Sequence, residues 1–331
     1  MSRLVAFGEI MLRLSPPGRE LLLQRPTLNV WVGGAEANVA TALAHLGHDV
    51  GMISAVPSGP LGDAAVAQLR GSGVDVRGIV RPEGRMGLYF VTTGAGLRPT
   101  DVIYDRAGSA FSVAPADSWD WAQLLEGVDR LHLSGITPAL GANGTALALF
   151  AAAEAEAAGV PISFDGNYRG RLWDSWDGNP RETLFALVER ADILFGDHRD
   201  IGLLLSEDFS GRRQDAVRAA FAKFPKLRLI ASTARDVAHS DSHRLGAHLD
   251  MRDESISMDR LELGGIVDRI GTGDAFAAGV LHGLMRNLPL DKVAETGLAL
   301  AALKHSLPGD ASLFTESDLA AFRASGLDVR R

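Results

Sequence analysis

The segment VDRIGTGDAFAAGVLHGLM, residues 267–285, places an acid, Asp274, after a turn of Gly271, Thr272 and Gly273 and at the head of a run of small and apolar residues with helical character. A glycine turn leading into a helix presents backbone N–H groups at the positive end of the helix dipole, which is a site for an anion. An acid there would by itself repel a phosphate. It makes chemical sense if a hydroxyl must give up its proton while a phosphoryl group is held on the N–H groups. The same acid is also favourable in a first helical turn that does no chemistry, and these residues alone leave both readings open. Other phosphate motifs do not compete. No Gly-Lys pair exists for a P-loop, and the dinucleotide fingerprint fails because Phe276 stands where its third glycine is needed. His198-Arg199-Asp200 spells a protein-kinase triplet by chance, since Leu205 occupies the position of the required asparagine.

The elements that must position these residues alternate between strand and helix. Apolar runs of strand length occupy 4–12, 50–56, 130–135, 160–169, 191–197 and 227–233. Helical spacing marks 36–47, 61–73, an Ala-rich stretch around 145–159, and two segments near 273–287 and 291–305. This alternation predicts a parallel sheet covered on both faces. Ligands in such sheets lie beyond the carboxyl ends of the strands, where Asp165, Asn167, Asp197 and Thr233 would sit. Two stretches, 11–34 and 87–108, carry turn residues between alternating apolar positions and read as antiparallel strands of a small separate sheet. Such a sheet cannot bury a core alone, and would cover a site, pair with a second copy, or do both.

Bulk composition sets the outer bounds. The 331 residues are 46% hydrophobic and 22% charged, ordinary for a globular protein with a large core. The net charge of −8 argues against a nucleic-acid or anionic-membrane partner. With no cysteine, there are no disulfides, thiolate metal sites or cysteine nucleophiles, and a reducing compartment suits the chain. The first residues, MSRLVAFGEIMLRL, lack a signal-peptide pattern, and the Ala-rich stretch is interrupted by Glu154 and Glu156. A cytoplasmic protein is expected.

Taken together, GGAEANVATALAHLG (33–47) and DRIGTGDAFAAGV (268–280) resemble the two signatures of the ribokinase-like (PfkB-type) carbohydrate kinases, in order and near opposite ends of the chain. Four further stretches, GEIMLRLSPPG, YDRAGSAF, HLSGITPAL and FDGNYRGRLW, resemble one subgroup, the 2-keto-3-deoxygluconate kinases. The resemblance spans essentially the whole chain. It implies a three-layer α/β fold with a mostly parallel central sheet. Residues 1–10, 33–86 and 108–331 would form the main nucleotide- and sugar-binding domain, with 11–32 and 87–107 as a β lid. It also implies ATP and Mg²⁺ as cofactors, a monovalent cation such as K⁺ among the candidates, and a homodimer or higher oligomer assembled through the lid.

The resemblance further implies roles for particular residues. Asp274 is the base that takes a proton from the sugar's primary hydroxyl, and Gly271, Thr272 and Gly273 form the anion hole. Gly34 and Asn38 contact the sugar; Tyr89, Tyr104 and Arg106 reach it from the lid; Asp310, in LPGDASL, adds a further contact. Asn167 and Arg169 lie between sugar and phosphates, and Ser232, Thr233 and Arg235 approach the nucleotide. An arginine suits a planar carboxylate because it can bind both oxygens, so Arg106 and Arg169 fit a sugar acid better than a neutral hexose. Each arginine could equally be a solvated surface charge, each tyrosine a packing aromatic, and Asn38 a simple cap. The family's Asn-x-x-Glu element is here GDHRDI, giving Asp197 and Asp200 as the candidate metal carboxylates. The stretch ASTARDVAHSDSH lacks the glycine-rich turn of many relatives. The expected activity is ATP-dependent phosphorylation of 2-keto-3-deoxygluconate at its 6-hydroxyl. Another sugar kinase such as a fructokinase, or a non-catalytic sugar-binding relative, are the alternatives.

Overall fold

Strand β1 (Arg3–Phe7) shows why the chain needs covering layers on two sides. Leu4 and Ala6 point into one apolar core and Val5 and Phe7 into another, all four essentially inaccessible to solvent. A strand buried on both faces belongs inside a sheet flanked by helices. A computed structural model, which describes residues 2–324, places it there. After β1 come β2 (Met11–Ser15), β3 (Asn29–Gly33), β4 (Asp49–Ala55), β5 (Ile79–Val80), β6 (Gly87–Thr92) and β7 (Asp101–Asp105). The chain continues with β8 (Arg130–Ser134), β9 (Ile162–Asp165), β10 (Ile193–Phe195), β11 (Leu229–His239), β12 (Ser242–Asp250) and β13 (Ser255–Gly264).

Nine strands form the main sheet in the order β13-β12-β11-β10-β9-β8-β1-β4-β5. From β5 to β11 every pairing is parallel, and β12 and β13 add an antiparallel edge. The helices Ala35–His45, Thr272–Met285 and Leu290–Lys304 pack together on one face, and the Ala-rich helix Ala142–Ala157 lies in the core of the other. Those helices lie close to the expected segments. The antiparallel edge was not expected from the sequence.

The other four strands form a separate sheet in the order β3-β2-β6-β7. β2 pairs antiparallel with β3, and β6 with β7, as two hairpin-like units. The central β2–β6 pairing is parallel, which corrects the expectation of a wholly antiparallel sheet. Residues 4–12, read as one run, divide between the two sheets. Gly8 ends the first part, its N–H donating to the Ile53 carbonyl and its own carbonyl accepting from the Ser54 hydroxyl. The chain then crosses at Glu9 and Ile10, so these two residues connect the sheets. Residues 1 and 325–331, included in the expected main domain, lie outside the described residues.

Candidate active site

The carboxyl ends of the parallel strands and the inner face of the small sheet enclose a cleft of about 960 Å³. All the residues singled out from the sequence line it: Gly34, Asn38, Tyr89, Tyr104, Arg106, Asn167, Arg169, Asp197, Asp200, Ser232, Thr233, Arg235, Gly271, Thr272, Gly273, Asp274 and Asp310. They come from both ends of the chain and from both sheets.

At the floor, helix Thr272–Met285 begins with Thr272, Gly273 and Asp274 as its first three residues. Gly271 precedes it in the left-handed region, at φ 77°. Only glycine fits there, because a Cβ would strike the backbone carbonyl of Asp310. Gly271, Thr272 and Gly273 line the cleft at the positive end of this helix, the kind of place an anion favours, with the Thr272 N–H reaching the Arg269 carbonyl only at 3.4 Å. Gly34, at φ 139°, likewise precedes helix Ala35–His45, and a Cβ on it would strike the Glu9 carbonyl. That close approach sets Asn38, one turn further on, against Asp274: its Nδ2 donates to Asp274 Oδ2 at 2.6 Å. The acid is thus oriented by a neutral donor and not neutralised by an ion pair. Desolvation in the cleft pushes Asp274 up to about 6, opposed by the Asn38 hydrogen bond and by the more distant charges of Arg169 and Lys304.

Three more acids surround this floor. Desolvation, with help from Asp274 and Asp200, pushes Asp165 up to about 8; desolvation also raises Asp200 to about 6 and Glu36 to about 7. Asn167 adopts a left-handed backbone, at φ 38°, and its N–H donates to Asp165 Oδ1 at 3.0 Å. The resulting turn brings Arg169 over the acids. Its Nη1 donates only to the Tyr168 carbonyl, and it makes no ion pair among the described residues, while its charge acts on Asp165, Asp200 and Asp274. Further along the cleft stand Ser232, Thr233, Arg235, Arg199 and Arg269. Arg235 is held below the usual guanidinium range by partial desolvation and by repulsion from Arg269 and Arg199. Arg235 and Arg269 have no ion-pair partner among the described residues, and such a crowded cationic wall suits a polyanion.

Two expectations change in the structure. Arg106 is not a free cation: it is buried, and its Nε donates to Glu9 Oε2 at 2.8 Å, with Nη2 on the same oxygen. Only Nη1 lacks a partner. The metal pair changes more. Asp197 caps helix His198–Leu205, accepting from the Arg199 N–H on one oxygen and from the Arg199 guanidinium on the other. Asp200 completes the capping box by accepting from the Asp197 N–H. Both oxygens of Asp197 accept hydrogen bonds from Arg199, whereas Asp200 uses only Oδ2 in the cap. Among the described residues no group of three or more metal-ligating side chains is assembled.

The small sheet supplies the roof. Tyr89 and Tyr104 face each other across β6 and β7 with ring centroids 5.9 Å apart, and the Arg106 guanidinium lies over the Tyr104 ring. Arg13, on β2, is buried and bridges to Asp310 at 2.8 Å and Asp268 at 2.7 Å. Sequence reasoning passed over Glu9, Arg13, Glu36, Arg269 and Asp268, although Glu9 and Arg13 lie within GEIMLRLSPPG and Asp268 opens DRIGTGD. A charge inside an otherwise apolar strand segment was the available signal, since such charges are seldom buried without a partner.

Comparison with known proteins agrees with this geometry. The family model described as pfkB family carbohydrate kinase matches residues 1–316. The chain is 32% identical to a 2-dehydro-3-deoxygalactonokinase of Haloferax volcanii over 318 residues, covering 96% of this chain and 95% of that one. It is 30% identical to a 2-dehydro-3-deoxygluconokinase of Bacillus subtilis, covering 99% and 97%. The crystal structure of a 2-dehydro-3-deoxygluconokinase from Thermotoga maritima superposes with a TM-score of 0.91 at 34% identity, covering 98% of this chain and all of that one. With its acid, glycine turn and cleft in the same arrangement as its sequence signatures, the chain belongs to the pfkB family of carbohydrate kinases.

Proposed function

We propose that this kinase phosphorylates 2-keto-3-deoxygluconate at its primary 6-hydroxyl, using ATP. The observation that carries the chemistry is Asp274, held by Asn38 beside the glycine turn that opens helix Thr272–Met285. In this reading Asp274 accepts the hydroxyl proton, the sugar oxygen forms a bond to the γ-phosphorus, and the bond from phosphorus to the ADP oxygen breaks. The amides of residues 271–273 hold the migrating group. Phosphoryl transfer needs positioning and charge neutralisation more than covalent help, which the arginine wall and the helix start are arranged to give. Ser232, Thr233 and Arg235 lie toward the nucleotide.

Asp165 and Asp200 fit a divalent cation. Both are pushed up by desolvation, opposed by the charge of Arg169 and, at Asp200, by that of Arg199, and neither carboxylate is held in an ion pair among the described residues. A Mg²⁺ arriving with the nucleotide would be held by these two carboxylates, directly or through water, and would neutralise phosphate charge. The segments 11–32 and 87–107 act as a lid that excludes water, the competing acceptor, and join two copies of the chain. An ATP-using enzyme without cysteine suits the cytoplasm.

The sugar-acid assignment rests on Arg169, a guanidinium in the cleft with no ion-pair partner among the described residues. The pairing of Arg106 with Glu9 favours the second reading, a neutral-sugar kinase such as a fructokinase, because it withdraws one of the two expected carboxylate readers. Measuring kcat/KM for ADP release with 2-keto-3-deoxygluconate, its galactonate epimer and fructose separates the two. The sugar acids should be preferred, and Arg169→Met should cost them on the order of 10–150-fold, the weight of one charge-assisted hydrogen bond. Fructose should be much less affected. A preference for fructose, or equal losses on acid and fructose, would favour the neutral-sugar reading.

A further inference from the structure

Behind the anion hole lies a cation that the proposed reaction has not yet used. The chain has four lysines, and Lys304 is the one with no solvent exposure. It ends helix Leu290–Lys304, and its Nζ donates to the Leu307 carbonyl at 2.9 Å. It makes no ion pair among the described residues. Burial, with repulsion from Arg13, lowers it to about 8, against the attraction of Asp268 and Asp274. A fully buried lysine is rare without a charge to answer.

The charge it answers lies in the two loops that build the hole. Val267 N and Asp268 N donate to the His305 carbonyl at 2.9 and 3.3 Å, and Gly309 N donates to Asp268 Oδ2 at 3.2 Å. Ile270 N donates to Asp268 Oδ1, and Gly271 rests against the Asp310 backbone. Asp268 is therefore the knot that ties residues 267–271 to 305–310. It and Asp310 share a single guanidinium, that of Arg13. Two carboxylates against one arginine would leave a negative charge directly behind a site meant for a phosphoryl group. Lys304 ends the helix that leads into the second loop, holds that loop through the Leu307 carbonyl, and supplies the balancing charge.

We propose that Lys304 is a positioning residue for phosphoryl transfer, a built-in cation that balances Asp268, the acid that must share Arg13 with Asp310, and fixes the 267–271 loop, so that no monovalent cation is needed behind the hole. This rests on the reading that the amides of 271–273 hold the migrating phosphoryl group. The K⁺ that the family resemblance brings into consideration would meet a loop already tied by Asp268 and faced by the fixed charges of Arg13 and Lys304.

The first test needs no variant. Turnover and melting temperature of the wild-type enzyme are compared in K⁺ and in tetramethylammonium at equal ionic strength. Both should be unchanged, and a strong dependence on K⁺ would overturn the proposal. In the second test, Lys304→Ala opens an ammonium-sized space. Its kcat should fall on the order of 10²-fold, as expected for a displaced catalytic loop, with KM little changed. Ammonium, but not tetramethylammonium, should restore part of kcat and raise the melting temperature. A loss that ammonium does not rescue, or a folded Lys304→Met variant with wild-type kcat, would also overturn it. If neither variant folds, the wild-type cation comparison decides. Asp274→Asn keeps the two readings apart. If it is inactive while the Lys304 variants are fully active, only this inference fails; if it turns over normally, the base itself is misassigned.

Discussion

The residue with the most to explain is Asp274, because it is desolvated and yet, as the proposed base, must be ionised to accept a proton. Removing its charge in Asp274→Asn should leave folding and binding largely intact and lower kcat by roughly 10²–10⁴, the usual weight of a general base. Its ionisation should also be visible. Desolvation favours the neutral acid and raises the pKa to about 6, so kcat/KM should climb as pH rises through about 6. The Asn38 hydrogen bond favours the ionised form, so Asn38→Ala should move that limb upward. A limb that stays in place in Asn38→Ala, or near-normal turnover in a folded Asp274→Asn, would remove this acid from the mechanism. At this scale the sequence was informative about which residues meet and less so about what holds them. GTGD and the glycine pair at 33–34 mark the cleft because glycine there answers a backbone need. The Arg106–Glu9 pair and the Asp197 cap depend on contacts that cross the fold or on a local cap whose second function cannot be seen in a two-acid spacing.

At the scale of elements, the proposed anion hole depends on a single tight approach. Gly271→Ala would place a Cβ against the Asp310 carbonyl at a left-handed φ of 77°, costing about 1–2 kcal/mol from conformation alone and more from the clash. The loop must then shift, so a melting temperature lower by several degrees and a kcat lower by about 10²-fold are expected together. Gly273→Ala is the control for stability: nothing lies within 4 Å of its would-be Cβ, and its melting temperature should hold. Loss of stability in Gly273→Ala equal to that in Gly271→Ala would show that the close approach is not the cause. The same scale shows where periodicity misleads. The parallel strands were legible because burial on both faces makes them near-continuous apolar runs. Strand β13 was missed although Ile256, Met258, Leu261 and Leu263 lie on its better-buried side. The register slips between Leu245 and Ala247 of its partner, pairing them with Leu261 and Met258, and that bulge breaks the two-residue alternation. The parallel β2–β6 pairing was hidden for another reason: it joins segments more than seventy residues apart, which no local pattern encodes.

For the whole molecule, the small sheet poses the remaining problem. Its inner face is accounted for by Tyr89 and Tyr104 over the cleft and by Arg13 against Asp268 and Asp310. Its outer face carries a cross-strand row of Val30, Leu14, Phe90 and Ile103, one residue from each strand. Val30 is 57% and Ile103 51% exposed, and both stand on edge strands with unpaired backbone groups. A lone apolar side chain on a surface means little, but a continuous row across an open-edged sheet invites another chain. A net charge of −8 disfavours indiscriminate association without supplying a partner of opposite sign, and a second copy offers a matching apolar face. The expected state is a dimer through these sheets at micromolar concentration, measured by light scattering on the eluting protein. The double variant Val30→Lys, Ile103→Lys should run as a monomer, since it sets charges in the row without touching any cleft-lining residue. A wild-type monomer under the same conditions, or a double variant that remains dimeric, would end the assignment of this face as the contact. Because Tyr104 and Arg106 lie on or just beyond β7, the strand that presents Ile103, turnover of the monomeric variant then reports whether the roof holds its shape without the partner.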